Sequence, residues 1–268
     1  MEKVELGKTG EKIPALGLGT FGIGGRFKAE YSRDEYWIEL IKSAVEMGYT
    51  LIDTAEIYGA GHTEELVGKA IEGFDRDELF IISKVRPEKA RFLETLKAGL
   101  RSYERLGTYI DLYLIHFPPP LELLPQMVRA MEKLVEIGIV RYIGVSNFSS
   151  DLTRLAREVA KREEIVANQS ELSIIYPQNL PLVEWCKKEG VTFMAYSPLA
   201  QGEIFSHKIY EKLEKISKKI GRSPVQIALR WVLDKGVVAL VMSSKKEHLK
   251  ENLGALGWRL NFKLEDYE

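Results

Sequence analysis

Apolar residues along this chain fall alternately into short runs of four to six and into helical stripes, and the alternation persists from end to end. The runs Ile13 to Leu18, Thr50 to Asp53, Leu79 to Ser83, Ile110 to Ile115, Arg141 to Val145, Ile165 to Asn168, Val191 to Ala195 and Val237 to Val241 read as strands. Between them, Trp37, Leu40, Ile41, Ala44 and Val45 share one helical face, as do Leu66, Val67, Ala70 and Ile71. The same spacing recurs in Leu93, Leu96, Leu100 and Tyr103, and in Met127, Val128, Met131, Leu134 and Val135. Ser32-Arg-Asp-Glu35 has the form of a capping box at a helix start, and Gly48, Gly107, Gly138, Gly190 and Gly236 stand where helices should stop. Eight strands alternating with helices predict a parallel (β/α)8 TIM barrel. Lys3 to Pro14, turning at Thr9-Gly10, reads as an N-terminal β-hairpin that plugs the bottom of the barrel. An additional helix, about Ile209 to Ile220, precedes the seventh barrel helix, which opens at Ser223-Pro224. With no linker or low-complexity stretch, residues 1–268 read as a single domain.

Charge narrows the choice of partner. The net charge of -1 comes from intermixed acidic and basic residues, so no basic field offers a nucleic-acid or membrane surface, and a small molecule is the expected partner. Met1 leads directly into Glu2-Lys3 and no run reaches membrane-spanning length, which predicts a cytoplasmic, soluble chain. Cys186, the only cysteine, lies among apolar neighbours at helical spacing and is expected to be buried and inert. The histidines at 62, 116, 207 and 248 show no metal-binding spacing, so no metal is expected. Charged residues make up 29% of the chain while Asn and Gln number five each, the bias of a heat-adapted, thermophile protein.

Two clusters bear on chemistry. Gly17-Leu-Gly-Thr-Phe-Gly22 matches the dinucleotide fingerprint in letters only, because the next helix waits until Ser32 and the fingerprint needs one opening on its glycines. The segment is instead the first barrel loop, with Phe21 a candidate pocket wall. Asp53, Tyr58, Lys84 and His116 sit at or just past the ends of three strand runs, the face on which such barrels keep their chemistry. Singly, Asp53 could cap a turn, Tyr58 pack in a loop, Lys84 be solvated and His116 be a core histidine. Together they compose an acid site. An ammonium beside a phenol favours the phenolate and should lower the pKa of Tyr58, a carboxylate at Asp53 would keep Lys84 charged, and His116 could steer a substrate oxygen.

With these residues in order the chain resembles the aldo-keto reductase superfamily, in particular prokaryotic and archaeal members of the alcohol dehydrogenase and aldehyde reductase type. The likeness runs through Leu-Ile-Asp-Thr-Ala-Glu-Ile-Tyr58, Ile-Gly-Val-Ser-Asn-Phe148, Ala-Asn-Gln169, Ala-Tyr-Ser-Pro-Leu199 and Lys-Glu-Asn-Leu253. Asp53, Tyr58, Lys84 and His116 match that family's catalytic tetrad. The resemblance implies reversible reduction of aldehydes or ketones to alcohols, as in an alcohol dehydrogenase, with NAD(P)H bound outside any Rossmann fold. It also implies a monomer or weak dimer. It places the nicotinamide at Ser146, Asn147, Gln169 and Tyr196, a segment closing over the pyrophosphate at Ser197, Leu199, Gln201 and Gly202, and the phosphate and adenine end at Met242, Ser243, Ser244, His248, Glu251 and Asn252. Ser244-Lys-Lys-Glu247 reads as a second capping box, aiming a helix N-terminus at the phosphate. The resemblance extends to potassium-channel β subunits, which leaves a regulatory nicotinamide-binding subunit as the alternative.

Three departures from the family pattern carry expectations. Met242 stands where relatives place a lysine, and His248 where NADP-preferring ones place an arginine, which predicts a relaxed or NAD-leaning choice between NADP and NAD, with Lys245 or Lys246 in partial compensation. Arg86 replaces a usual tryptophan wall and is expected to face solvent, while Phe117 keeps an aromatic wall. The chain ends at Glu268, close behind the last helix, which predicts a short tail and an open pocket mouth.

Overall fold

The structure, a computed structural model, describes residues 2–261; the tail from which the open mouth was expected lies outside the described residues. Eight parallel strands close into a barrel: β3 (Leu16–Gly19), β4 (Leu51–Asp53), β5 (Phe80–Val85), β6 (Ile110–Ile115), β7 (Val140–Ser146), β8 (Ile165–Glu171), β9 (Thr192–Tyr196) and β10 (Val238–Val241), with β10 pairing back onto β3. Between them run α1 (Asp34–Glu46), α2 (His62–Ile71), α3 (Phe92–Leu106), α4 (Leu124–Glu136), α5 (Ser150–Val159) and α6 (Leu180–Glu189). The additional helix α7 (Ile209–Ile220) precedes α8 (Pro224–Leu233), and α9 (Lys246–Leu253) follows the last strand. No described helix is long and apolar enough to cross a membrane.

The hairpin is β1 (Lys3–Glu5) against β2 (Lys12–Pro14), and it takes Ile13 and Pro14 from the expected first barrel strand. Ala15 separates the two strands, so β2 pairs with β1 while the barrel strand starts at Leu16. Leu6 and Ile13 then stand at 0% and 1% exposure and join the barrel interior with Leu51, Phe80, Ile82, Leu112, Leu114, Met194 and Leu240. The larger apolar cluster fills the layer between the strands and the helix ring.

Helix ends follow local chemistry, with two corrections. Gly107 and Gly190 end α3 and α6 in the left-handed conformation, as expected of C-terminal glycines. Neither expected capping box forms. At α1 the N-cap is Arg33 and no side chain caps the helix; the Ser32 hydroxyl donates to the Glu30 carboxylate, and Asp34 and Glu35 meet the helix dipole. At α9 the N-cap is Lys245; it is Ser243 whose hydroxyl accepts from the Lys245 amide, while the Ser244 carbonyl accepts from the Tyr36 hydroxyl. The capping box that does form is Ser223 with Gln226, at α8. Cys186 is buried, and burial pushes its thiol up to about 12.

Candidate active site

Alternation along the strands delivers the polar groups to one place. Leu51, Ile82, Leu114, Met194 and Leu240 belong to the barrel interior, so two residues further on Asp53, Lys84, His116, Tyr196 and Met242 project over its C-terminal mouth. Lys84 therefore lies within β5 rather than past its end, since that strand runs on to Val85. Tyr58 comes from the short 3-10 turn Tyr58–Gly61 after β4.

Lys84 is the hub. Its Nζ donates to Asp53 Oδ2 at 2.8 Å, to the Thr54 carbonyl at 2.9 Å and to the Tyr58 hydroxyl at 3.3 Å. Lys84 is 0% exposed, Asp53 4%, Tyr58 9% and His116 8%, so these charges meet largely out of water. Burial opposes the ammonium, yet Asp53 and Tyr58 outweigh it and hold the Lys84 pKa above the ordinary lysine value. For Tyr58 the expected direction is reversed. Lys84 does pull the phenol down, but burial is the larger effect, Asp53 adds to it, and the net displacement is upward. The phenol thus keeps its proton at neutral pH. Burial, with the Lys84 charge beside it, pushes His116 down to about 3, so its ring is neutral.

Aromatic rings frame this group. Phe21 meets Tyr58 edge-on at 5.1 Å, Tyr58 meets His116 at 5.8 Å, and Phe117 stacks on His116 at 5.1 Å. Phe27, 5.6 Å from Phe21 and exposed, extends the wall outward. Arg86 is half-buried, with its Nε 3.8 Å from the exposed Glu88 carboxylate.

On the opposite side of the mouth, Ser146 and Gln169 are register partners at the ends of β7 and β8. Asn147 holds a left-handed backbone, donates to the His116 carbonyl and the Ser146 hydroxyl at 3.0 Å each, and accepts from the Tyr196 hydroxyl at 2.9 Å. Gln169 donates to Asp53 Oδ1 at 2.8 Å, joining the two halves of the site directly. Beyond Tyr196, residues Ser197, Ala200 and Gln201 all hold left-handed backbone, with Leu199 and Gly202 beside them. Strain of this kind collects where a loop is shaped for a task.

The remaining candidates lie off this centre. Met242 is exposed, and a Cβ added at Gly22 would come within 3.9 Å of its methyl. Ser243 is buried, Ser244 and His248 are exposed, and Glu251 presents its carbonyl to Gln226 Nε2 at 3.0 Å. Asn252 is 3% exposed, and the Tyr49 hydroxyl donates to the Leu249 carbonyl one turn earlier at 2.8 Å. Lys246 is committed to Glu39 at 2.9 Å. Among the described residues no group of acidic, His or Cys side chains could hold a metal ion. The Thr54 carbonyl, the Gln169 to Asp53 bond and Phe27 were missed from sequence: a backbone acceptor leaves no residue signal, and Phe27 required the path of its loop.

A closed barrel with a buried Lys–Asp pair touching a tyrosine beside a neutral histidine defines a class of oxidoreductase-like sites, and comparison places it. The Aldo/keto reductase family profile matches residues 15–268, and the chain belongs to that family. It is 35% identical over 257 residues to "Methylglyoxal reductase DkgB" of Escherichia coli O157:H7, covering 93% of this chain and 89% of that protein. Among solved structures, the thermostable aldo-keto reductase Tm1743 in complex with the inhibitor epalrestat superposes with a TM-score of 0.95 at 47% identity, over 99% of this chain and 98% of that one. An aldo-keto reductase from Klebsiella pneumoniae in complex with NADPH gives a TM-score of 0.86 at 32% identity, over 97% and 91% of the two chains.

Proposed function

We propose that this protein reduces aldehydes and ketones to alcohols with NADPH, and runs in reverse as an alcohol dehydrogenase, with Tyr58 as general acid. The observation that carries the reading is Lys84, fully buried and hydrogen-bonded at once to Asp53 and to the Tyr58 hydroxyl. The residues present fit a nicotinamide dinucleotide. Ser146, Asn147 and Gln169 offer hydroxyl and amide groups suited to a carboxamide, Tyr196 offers a half-buried ring face, and the segment from Ser197 to Gly202 lies next along the chain for the pyrophosphate.

When bound, the cofactor supplies the hydride that the carbonyl carbon receives. The neutral His116 ring orients the carbonyl oxygen toward Tyr58. Tyr58 keeps its proton until negative charge builds on that oxygen and then transfers it. Lys84, 3.3 Å from the hydroxyl, stabilises the phenolate left behind, and Asp53 keeps Lys84 an ammonium while it does so. The proton donor is thus buried, held in its acid form, and made a better donor only as charge transfers.

The choice of cofactor is a finer proposal. Met242 and His248 are both exposed and neither is a lysine or arginine that would meet a 2′-phosphate, and Lys246 is occupied by Glu39. NADH should therefore serve alongside NADPH. An NADPH advantage of several orders of magnitude in kcat/KM removes that part of the reading. The reading further takes residues 1–268 as one domain acting in the cytoplasm on small molecules, as a monomer or weak dimer, which sedimentation checks.

The test of the main reading is carbonyl-dependent oxidation of the reduced cofactor, followed by absorbance across a panel of aldehydes, ketones and 2-keto acids. Tyr58→Phe should lower turnover about a thousandfold while cofactor affinity stays within about twofold. A Tyr58→Phe protein with wild-type turnover removes Tyr58 from the mechanism. No turnover with any carbonyl, together with tight cofactor retention, replaces the enzyme reading with the regulatory subunit.

A further inference from the structure

The loop from residue 20 to 33 carries Phe21 and Phe27 across the mouth of the site, and His62 lies beneath it. His62 opens α2, four residues after Tyr58, and is 4% exposed. Its Nε2 faces Asp34 Oδ1 at 2.8 Å and its Nδ1 faces Glu65 Oε2 at 3.0 Å. A neutral imidazole has one N–H, and carboxylates only accept, so both contacts are hydrogen bonds only when both nitrogens are protonated. Tyr31 covers the ring with centroids 4.4 Å apart. Gly24 also lies against it: a Cβ there would sit 3.0 Å from His62 Cδ2 and 2.6 Å from Leu66 Cδ1. One ring therefore touches the loop at two points, α1 through Asp34, and α2 through Glu65.

We propose that His62, clasped as an imidazolium between Asp34 and Glu65, is a positioning residue that holds the 20–33 loop, and with it Phe21, against Tyr58. The consequence for substrate binding rests on the carbonyl-reductase reading; the hold on the loop does not. The groups facing the ring are Asp34 from α1, Glu65 from α2 and the Tyr31 phenol from the loop, with Gly24 and Leu66 supplying apolar contact. Burial disfavours the charged ring, but the two carboxylates outweigh it and raise its pKa above the ordinary histidine value. The clasp is thus complete at about pH 6, below that ordinary value, and is released as pH rises through the raised one.

The loop is fixed elsewhere by Thr20 Oγ1 to the Asp53 carbonyl at 2.9 Å, by Thr63 Oγ1 to the Ile23 carbonyl at 2.6 Å, by Ser32 Oγ to the Glu30 carboxylate at 3.0 Å, and by backbone contacts that include Glu30 N to Gly24 O at 2.9 Å and Gly59 N to Arg26 O at 2.9 Å. Their amide hydrogen exchange reports the clasp without any catalytic assay. Exchange of the full chain, corrected for intrinsic rate, should show protection across residues 20–33 falling about tenfold between about pH 6 and about pH 9. In His62→Gln, which bonds but does not titrate, that step should vanish. In the wild type KM for carbonyl should rise about fivefold over the same range with kcat within about twofold, and in the variant KM should be raised and flat. An unchanged step in His62→Gln, or no step in the wild type, overturns the proposal. Should the variant not fold, imidazole resonances of the wild type decide: two ring N–H signals for His62 at about pH 6 support the clasp, and a neutral tautomer there overturns it. Absent carbonyl turnover with the exchange step intact strikes the reductase reading alone.

Discussion

Gln169 donates from Nε2 to Asp53 Oδ1 at 2.8 Å, across 116 residues of sequence, while the other oxygen of the same carboxylate is held by Lys84. A residue of the proposed nicotinamide side thereby fixes the charge that, in the proposed mechanism, tunes the proton donor. Gln169→Leu keeps the approximate volume and removes the donor, leaving a buried carboxylate oxygen unpaired at about 1–3 kcal/mol. The expected outcome is a fall of roughly tenfold or more in kcat/KM, together with weaker cofactor binding, read by steady-state kinetics and by quenching of protein fluorescence. A loss confined to cofactor affinity would mean that the bond to Asp53 is structural only.

The Lys84–Asp53 pair separates stability from catalysis. Lys84→Met strands the Asp53 carboxylate in the barrel mouth and should cost about 3–5 kcal/mol in denaturant unfolding. Lys84→Met combined with Asp53→Asn removes both charges and should recover most of that loss, since Asn can still accept from Gln169. Carbonyl turnover should remain depressed by about two to four orders of magnitude in both proteins. Recovery of turnover in the double variant would take the ammonium out of the mechanism.

How far sequence went depended on which groups compete for each residue. The barrel, the plug and the convergence of Asp53, Lys84 and His116 follow from the period of the strands, which is local and needs no partner. Two expected capping boxes did not form because each helix starts one residue later than the pattern placed it, with Arg33 and Lys245 rather than Ser32 and Ser244 at the N-cap. Ser223 and Gln226 formed theirs because both members point at the same helix end. The expected direction of the Tyr58 pKa came from its charged neighbour alone. Burial, the larger effect, is legible only once the fold encloses the phenol within its aromatic walls. His62 was one histidine among four until the fold brought Asp34 within 2.8 Å of it.

The histidine in the proposed catalytic group gives a pH test whose sign is fixed. His116 has a folded value of about 3 against about 6.5 in an unfolded chain, so between these the unfolded state binds the extra proton. Stability therefore rises with pH through that window: the contribution is full above about pH 6.5 and is lost as pH falls toward 3. Between about pH 7 and pH 4 the wild type should lose about 2–3 kcal/mol more than His116→Asn, measured by denaturant unfolding at each pH. The same neutral ring predicts no His116 limb in the pH profile of carbonyl reduction between about pH 5 and pH 9. An inflection near pH 6 that disappears in His116→Asn would show a charged imidazolium in turnover.

The opposite face of the barrel should behave differently, because barrels of this kind place chemistry at one end and stability at the other. Asp111, fully buried in the second position of β6, accepts from Arg76 at 2.6 Å, from Arg141 at 2.7 Å and from the Ile81 amide at 2.7 Å. Arg141 also reaches Glu11 of the hairpin segment at 2.7 Å, so one carboxylate ties two strands and the plug together. Asp111→Ala leaves two guanidinium groups and an amide without that acceptor. Both arginines are partly exposed and can reach water, so the expected loss is about 3 kcal/mol, at the low end for a broken buried pair. Per folded molecule, kcat and KM for carbonyl reduction should stay within about twofold of wild type, because the strand between Asp111 and His116 is fully buried and rigidly paired on both sides. Unfolding curves and kinetics measured on the same preparation check both halves; a variant of unchanged stability, or one with intact stability but lost turnover, contradicts this division of the barrel.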